Sequence, residues 1–120
     1  NDLYGHQAGD RILKLVADSI RGHVRKSDVT ARFGGDEFAV FFLDVKRDAL
    51  LGMAGKIKEA IMHASRKIKV TTVSIGISLM EATGNQIALI DNLIREADKA
   101  LYTAKAAGRN TFHLNDRGAR

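Results

Sequence analysis

The 120-residue sequence contains no cysteine, no proline and no tryptophan. Without cysteine the chain has no disulfide, no thiolate metal site and no cysteine nucleophile. Its longest apolar runs are only a few residues, whereas a membrane-spanning helix needs about 20. The N-terminus also lacks the basic start and apolar run of a signal peptide. We therefore expect a cytoplasmic domain, with any membrane anchor of a longer protein lying upstream of residue 1.

Positive charge is in modest excess, with 19 Lys and Arg against 14 Asp and Glu and a formal net charge of +5. This sign is compatible with nucleic acid, an anionic membrane surface or a polyphosphate ligand. The basic residues are scattered over every segment, and aromatic residues make up only 6% of the chain. A platform that stacks nucleic-acid bases needs more rings than this. We predict neither nucleic-acid binding nor membrane contact by this domain.

Apolar periodicity predicts three helices. They cover about residues 10–24, 46–65 and 86–106. Asp10 is a plausible cap at the start of the first helix, and Gly108 is a C-terminal stop for the last.

Four further segments have the character of strands. Two aromatic-rich runs around Gly34–Glu37 predict a β-hairpin. Residues 70–80 predict a strand in which Gly76 marks a bulge or a close backbone approach, and residues 111–114 predict a short edge strand. The order lacks one leading strand of a split βαβ, ferredoxin-like arrangement with an antiparallel sheet and packed helices. We expect an α+β fold, as a single domain over residues 1–120 without its N-terminal strand.

The predicted hairpin carries two glycines and two carboxylates at its tip, in the order Gly34, Gly35, Asp36 and Glu37. Adjacent glycines widen the accessible backbone conformations and let another group approach closely. Carboxylates beside such a turn suit Mg²⁺, which takes hard oxygen ligands and shares them with substrate phosphates. Gly, Asp and Glu are also common turn residues, so composition alone favours a plain solvated turn over a metal site.

Four segments in chain order carry a family resemblance. They are Arg32–Phe38 (RFGGDEF), Asn1–Asp10 (NDLYGHQAGD), Val73–Ile77 (VSIGI), and Ala97–Lys105 (ADKALYTAK) with Gly108–Asn110. Together they resemble the motifs of the GGDEF family of diguanylate cyclases, over nearly the whole chain. The resemblance implies a nucleotidyl-cyclase-type sheet. It also implies condensation of two GTP into cyclic di-GMP with release of pyrophosphate, by a homodimer of domains that each hold one GTP.

The resemblance assigns catalysis to Asp36 and Glu37, with Asp36 as the ligand of Mg²⁺ or Mn²⁺. For GTP binding, Asp10 suits guanine chemically, because a carboxylate accepts paired hydrogen bonds from the N1–H and the exocyclic amine. Lys105 and Arg109 would share a face at the end of the last helix and reach the phosphates, although cations there also favour the helix dipole. The full implied GTP-binding set is Asn1, His6, Asp10, Gly34, Gly35, Lys105 and Arg109.

A second motif precedes the hairpin. Arg25-Lys26-Ser27-Asp28 matches the family's RxxD inhibitory motif at its usual distance from Gly34. The resemblance implies product inhibition, in which Arg25 grips cyclic di-GMP and Asp28 completes the contact. A polar loop after a helix is the plain alternative.

The sequence departs from the family at its start. The family's first strand carries a DxDxFK segment just ahead of the position matching Asn1, and its first Asp is a metal ligand. We therefore expect the 120-residue chain alone to be a weak or inactive cyclase. A non-catalytic GGDEF-like sensor that binds GTP or cyclic di-GMP is the alternative function, and a nucleic-acid-binding domain ranks behind both.

Overall fold

The computed structural model describes residues 3–34, 36–81 and 85–115. The chain divides into two compact units, Asn1–Thr71 and Thr72–Arg120. The first holds α1 (Leu3–Arg21), β1 (Val29–Arg32), β2 (Phe38–Phe41) and α2 (Arg47–Ala64), and the second holds β3 (Ile75–Ser78), α3 (Gln86–Ala106) and β4 (Phe112–Asn115). Across the described residues, no helix combines the length and apolar character needed to cross a bilayer.

The core of the first unit lies between its two long helices. Val16 and Ile20 are buried on α1, and the buried side chains of α2 recur at helical spacing at Leu50, Ala54, Ile57 and Ile61. The prediction that Asp10 caps the first helix is wrong, because α1 already begins at Leu3. The apolar stripe marks only the part of α1 that packs, whereas backbone hydrogen bonds extend a helix without such a stripe.

The predicted hairpin is confirmed. β1 and β2 pair antiparallel over four residue pairs, from Val29 opposite Phe41 to Arg32 opposite Phe38. The amide of Phe33 donates to the carbonyl of Glu37 at 2.8 Å and closes the loop one step beyond the ladder. Residues 33–37 therefore form the tip.

The second unit is a strand–helix–strand arrangement. β3 and β4 pair in parallel, with Ile75 opposite Phe112 and Ser78 opposite Asn115. The sheet was expected to be antiparallel, and this pair differs because a helical crossover, unlike a tight turn, returns the chain in the same direction. Two polar contacts tie α3 to the strands: Ser78 Oγ donates to the Leu93 carbonyl at 2.6 Å, and Asn115 Nδ2 donates to the Glu96 carbonyl at 3.1 Å.

Gly76 confirms the predicted close approach of the β3 backbone. A Cβ at this position would overlap the Ala97 carbonyl oxygen and the Leu101 amide nitrogen, and would lie 2.7 Å from the Leu101 Cα. All three are backbone atoms of α3, which no rotamer change can move. The packing of β3 on α3 therefore requires a residue without a side chain.

We predict that Gly76→Ala lowers the free energy of unfolding by about 3 kcal/mol, because the added methyl forces the β3 and α3 backbones apart. Chemical denaturation would measure the loss. Gly52→Ala is the matched control: a Cβ on this exposed α2 residue meets nothing within 4 Å. The control should gain about 0.5–1 kcal/mol from helix propensity. Equal stability of the two variants would contradict the account of Gly76.

Candidate functional site

The hairpin tip presents two carboxylates to solvent. Asp36 and Glu37 are exposed, and among the residues that the structure describes neither carboxylate has a hydrogen-bond or ion-pair partner. The base of the tip is fixed by Arg32, whose Nε donates to the Gly34 carbonyl at 3.1 Å and whose guanidinium lies 5.9 Å from the Phe38 ring. In the described part of the chain, the tip thus combines a tethered base with two carboxylates that have no partner.

Gly34 has open space beside it. Its φ lies outside the left-handed region, and a Cβ built there would meet nothing within 4 Å. Of the two advantages predicted for the glycines, only the close approach of another group applies to Gly34. Gly35 lies outside the described residues.

A cleft of about 500 Å³ lies between α1 and the hairpin. Asp10 projects from α1 toward this cleft as one of its lining residues, and Arg32 and Phe38 line it where the ladder meets the tip. The other lining residues give apolar walls with interspersed charges: Leu13, Lys14, Ala17, Asp18, Ile20, Arg21, Thr30, Ala31 and Ala39. Apolar walls with a few convergent polar groups are typical of small-ligand sites.

The acidic pair at the tip fits part of a metal site. Hard carboxylate oxygens are the donors that Mg²⁺ prefers, and this ion keeps several waters and usually shares substrate phosphates. Within the described ranges, no group of three or more His, Asp or Glu side chains could hold a metal ion. Asp36 and Glu37 would therefore supply a partial donor set that phosphate oxygens and water complete.

The predicted inhibitory pair, Arg25 and Asp28, is brought together. Arg25 Nη2 donates to Asp28 Oδ1 at 2.8 Å, Arg25 Nε lies 3.1 and 3.2 Å from the two carboxylate oxygens, and the Arg25 amide donates to Oδ2 at 2.7 Å. The Asp28 side chain has 0% exposure, and that of Arg25 has 45%. The bidentate pair leaves the guanidinium as the group that faces solvent.

Two groups after β2 also hold Arg25. Its Nη2 donates to the Leu43 carbonyl at 2.7 Å, and its guanidinium carbon lies 6.0 Å from the centroid of the Phe42 ring. Sequence reasoning missed both. A backbone acceptor such as the Leu43 carbonyl does not depend on which side chain the residue carries, so the sequence gives no sign of it.

The pair shifts the pKa of both members. The hydrogen bond from the Arg25 side chain holds the pKa of Asp28 below its ordinary value of 3.8, against an opposing effect of burial. The same hydrogen bond raises the pKa of Arg25 further. Both ions are therefore charged at neutral pH.

In the second unit, the end of α3 corrects one prediction. The Gly108 amide donates to the Lys105 carbonyl and the Arg109 amide to the Ala104 carbonyl, which is a Schellman motif with Gly108 at φ 115°. The predicted stop at Gly108 is confirmed. Lys105 lies in the last turn, but Arg109 lies beyond the helix at φ 64°. The prediction that these cations share a helical face is wrong, because the motif ends the helix between them.

Two residues of the predicted GTP-binding set belong to the first residues of the chain. Asn1 lies outside the described residues, and His6 is placed only as a backbone position within α1. Their assignment to GTP binding stays a prediction.

Comparisons with known proteins agree with the motifs. The family model "Diguanylate cyclase, GGDEF domain" matches residues 1–111. Diguanylate cyclase A of Treponema denticola is 38% identical over 120 residues, covering 96% of this chain and 31% of that protein. Cyclic di-GMP phosphodiesterase NbdA of Pseudomonas aeruginosa is 41% identical over 122 residues, covering 98% and 15%. The chain thus spans less than a third of either relative.

A solved structure confirms the predicted α+β, nucleotidyl-cyclase-like fold class. The GGDEF domain of DgcB from Caulobacter crescentus, determined in complex with c-di-GMP, matches with a TM-score of 0.81 at 27% identity. The match covers 95% of this chain and 68% of that chain.

We predict that the Arg25–Asp28 pair stabilises the fold in a pH-dependent way. Because the pKa of Asp28 is lowered on folding, its contribution is present above about pH 4 and is lost as the pH falls through the folded-state pKa. Asp28→Asn should therefore lower the free energy of unfolding at pH 7, and the difference from the unaltered chain should shrink toward pH 3. Denaturant titrations at the two pH values measure this. Asp91→Asn, an exposed aspartate on α3, is the control, and a difference independent of pH would contradict the prediction.

Proposed function

The chain belongs to the GGDEF family of diguanylate cyclases, and on that premise we propose that it condenses two GTP into cyclic di-GMP and pyrophosphate. The observation that carries the proposal is the hairpin tip. The carboxylates of Asp36 and Glu37 are exposed, have no hydrogen-bond or ion-pair partner among the described residues, and lie close in sequence to Gly34, which has open space beside it, at the edge of a cleft that Asp10 lines. An acidic tip next to a cleft suits the binding of a nucleoside triphosphate. A plain solvated turn would not need the cleft.

Asp10 would select guanine. Its carboxylate lines the cleft from α1 and can accept from the N1–H and the exocyclic amine of guanine, a pair of donors that adenine does not present together. The apolar walls of the cleft would pack on the flat faces of the base. The prediction of a guanine-binding Asp10 therefore keeps its chemical basis although its capping role is lost.

The hairpin tip would hold the triphosphate. The open space at Gly34 would admit phosphate oxygens close to the backbone, and Asp36 with Glu37 would hold Mg²⁺ or Mn²⁺. The divalent ion, when bound, would neutralise phosphate charge and favour ionisation of the attacking hydroxyl. Lys105 and Arg109 remain the candidate cations for the phosphates, each from its own position at the end of α3.

The chemistry is phosphoryl transfer in two equivalent steps. The 3′-oxygen of one GTP forms a bond to the α-phosphorus of the other, the bond to the bridging oxygen breaks, and pyrophosphate leaves with its electron pair. The hydroxyl proton passes to the acidic pair or to water. In this family each domain holds one GTP, so ring closure would require two domains facing each other as a homodimer.

Cyclic di-GMP would also act as an inhibitor at Arg25 and Asp28. The exposed side of the Arg25 guanidinium offers donors to a guanine edge or a phosphate. The Caulobacter domain solved with c-di-GMP supports binding of this ligand within the family.

A second candidate function is a sensor that binds GTP or cyclic di-GMP without making product. The observation in its favour is the 41% identity to a protein named as a cyclic di-GMP phosphodiesterase. In such a protein a GGDEF segment can act beside another activity.

The first test is Asp36→Asn in the complete protein that carries this domain, incubated with GTP and Mg²⁺ and assayed by chromatography for cyclic di-GMP. Removing a carboxylate that holds the metal should lower turnover about 100-fold or more. GTP binding measured without turnover should persist, because the cleft and Asp10 are unchanged. The control Asp91→Asn alters another exposed aspartate, on α3, and should keep full activity. Nucleotide binding without product in the unaltered protein would favour the sensor instead.

The second test is Gly34→Ala. Because a Cβ there meets nothing within 4 Å, we expect the free energy of unfolding to change by no more than about 1 kcal/mol. The melting temperature should therefore be unchanged or slightly raised. Turnover should fall about tenfold, the equivalent of 1.4 kcal/mol, because the methyl fills space that the triphosphate would use. Full activity of this stable variant would argue against phosphate binding at the tip.

A further inference from the structure

We propose that two groups directly after β2, the Phe42 ring and the Leu43 carbonyl, orient Arg25 for ligand binding. This inference rests on the proposed inhibitory function of the Arg25–Asp28 pair. Phe42 and Leu43 are positioning residues, since they would act on the ligand only through Arg25. We call these two groups the Arg25 holder.

The contacts divide the guanidinium into a held side and an offered side. Nε and Nη2 donate to Asp28, Nη2 also donates to the Leu43 carbonyl, and the guanidinium carbon lies 6.0 Å from the centroid of the Phe42 ring. Among the described residues Nη1 has no hydrogen-bond partner. With 45% of the side chain exposed, Nη1 is the group that a ligand would meet.

Asp28 alone does not fix this orientation. Its carboxylate is fully covered, and the same two oxygens receive the Arg25 amide, Nε and Nη2. A pair within one loop can swing as a unit. Phe42 and Leu43 belong to the segment that follows β2, so their contacts tie the guanidinium to a second part of the chain and remove that freedom.

The backbone at Asp44 determines where the Leu43 carbonyl points. Asp44 has φ 51°, and aspartate is among the few residues other than glycine that adopt this left-handed conformation at low cost. The turn directly after Leu43 lets its carbonyl accept from Arg25 instead of continuing the ladder. Leu43 itself is exposed, so its side chain is not what holds it there.

The offered side suits a planar ligand with acceptors at its edge. Guanine presents O6 and N7 as acceptors at its edge, either of which could accept from Nη1, and a guanidinium plane also stacks on bases. A guanidinium held in advance loses less conformational freedom on binding than a free one. Loss of the holder should therefore weaken the ligand without removing any atom that contacts it.

The test measures cyclic di-GMP binding to the 120-residue chain by titration calorimetry. Phe42→Leu keeps apolar bulk but removes the ring, and the dissociation constant should rise about two- to fivefold, the range of an exposed cation–π contact. Phe42→Tyr keeps the ring and should bind as the unaltered chain does. Phe41→Leu is the control, since it makes the same change one residue earlier on β2, and its binding should not change. Arg25→Ala should abolish binding.

A second measurement separates positioning from general packing. The Nε–H resonance of Arg25 reports its hydrogen bonds directly, and its exchange with solvent should accelerate in Phe42→Leu and not in Phe41→Leu. If Phe42→Leu proves unstable, Phe42→Met removes the ring with an unbranched side chain that fills the same space. Unchanged affinity and exchange in a folded ring-less variant, with binding still lost in Arg25→Ala, would overturn the holder alone. Binding that survives Arg25→Ala would overturn the inhibitory site itself.

Discussion

The register of the β1–β2 hairpin is the constraint on which the first unit's chemistry depends. Four residue pairs connect Arg32 opposite Phe38 at one end with Val29 opposite Phe41 at the other, a span of about 10 Å at 3.4 Å per residue. The acidic tip lies just beyond the first pair, and Asp28 and Phe42 lie just beyond the last. A slip of one residue would turn every side chain of the moved strand to the opposite face. It would misplace Asp36 relative to the cleft and Phe42 relative to Arg25 at the same time.

Sequence reasoning recovered the elements where a side-chain pattern reports the structure directly. The range predicted for the last helix coincides with α3, Gly108 ends it, and Gly76 marks the close approach of β3. It failed where a side-chain pattern favours an element but does not by itself determine its bounds. Residues 70–74 are rich in β-branched side chains, yet only Ile75–Ser78 form β3, because a strand also needs a neighbour with which to pair. The start of α1 was misplaced for a related reason, since a helix can extend beyond the apolar residues that it buries.

The candidate site divides in the same way. Motifs indicated Arg25, Asp28, Asp36 and Glu37, because charged side chains at a fixed spacing are visible in a sequence. The Leu43 carbonyl and the left-handed Asp44 were not predictable, since a backbone acceptor or a single φ angle depends on how distant segments meet. Arg109 illustrates the limit of spacing arguments: four residues after Lys105 it would share a helical face only if the helix continued, and the backbone at Gly108 prevents this.

Arg25 joins the residue that enters the hairpin to the residue that leaves it, since it binds both Asp28 and the Leu43 carbonyl. The contacts of Arg25 therefore close the hairpin at its base. The hydrogen bond from the Phe33 amide to the Glu37 carbonyl closes it at its tip. Closing a loop in the folded state limits how far its ends can separate when a few ladder bonds break. Fraying of the ribbon from its open end would first have to break the hydrogen bond from Arg25 Nη2 to the Leu43 carbonyl. A ligand that draws Arg25 toward itself would therefore change the local unfolding equilibrium of the whole ribbon, and with it the time that the acidic tip spends in an ordered shape.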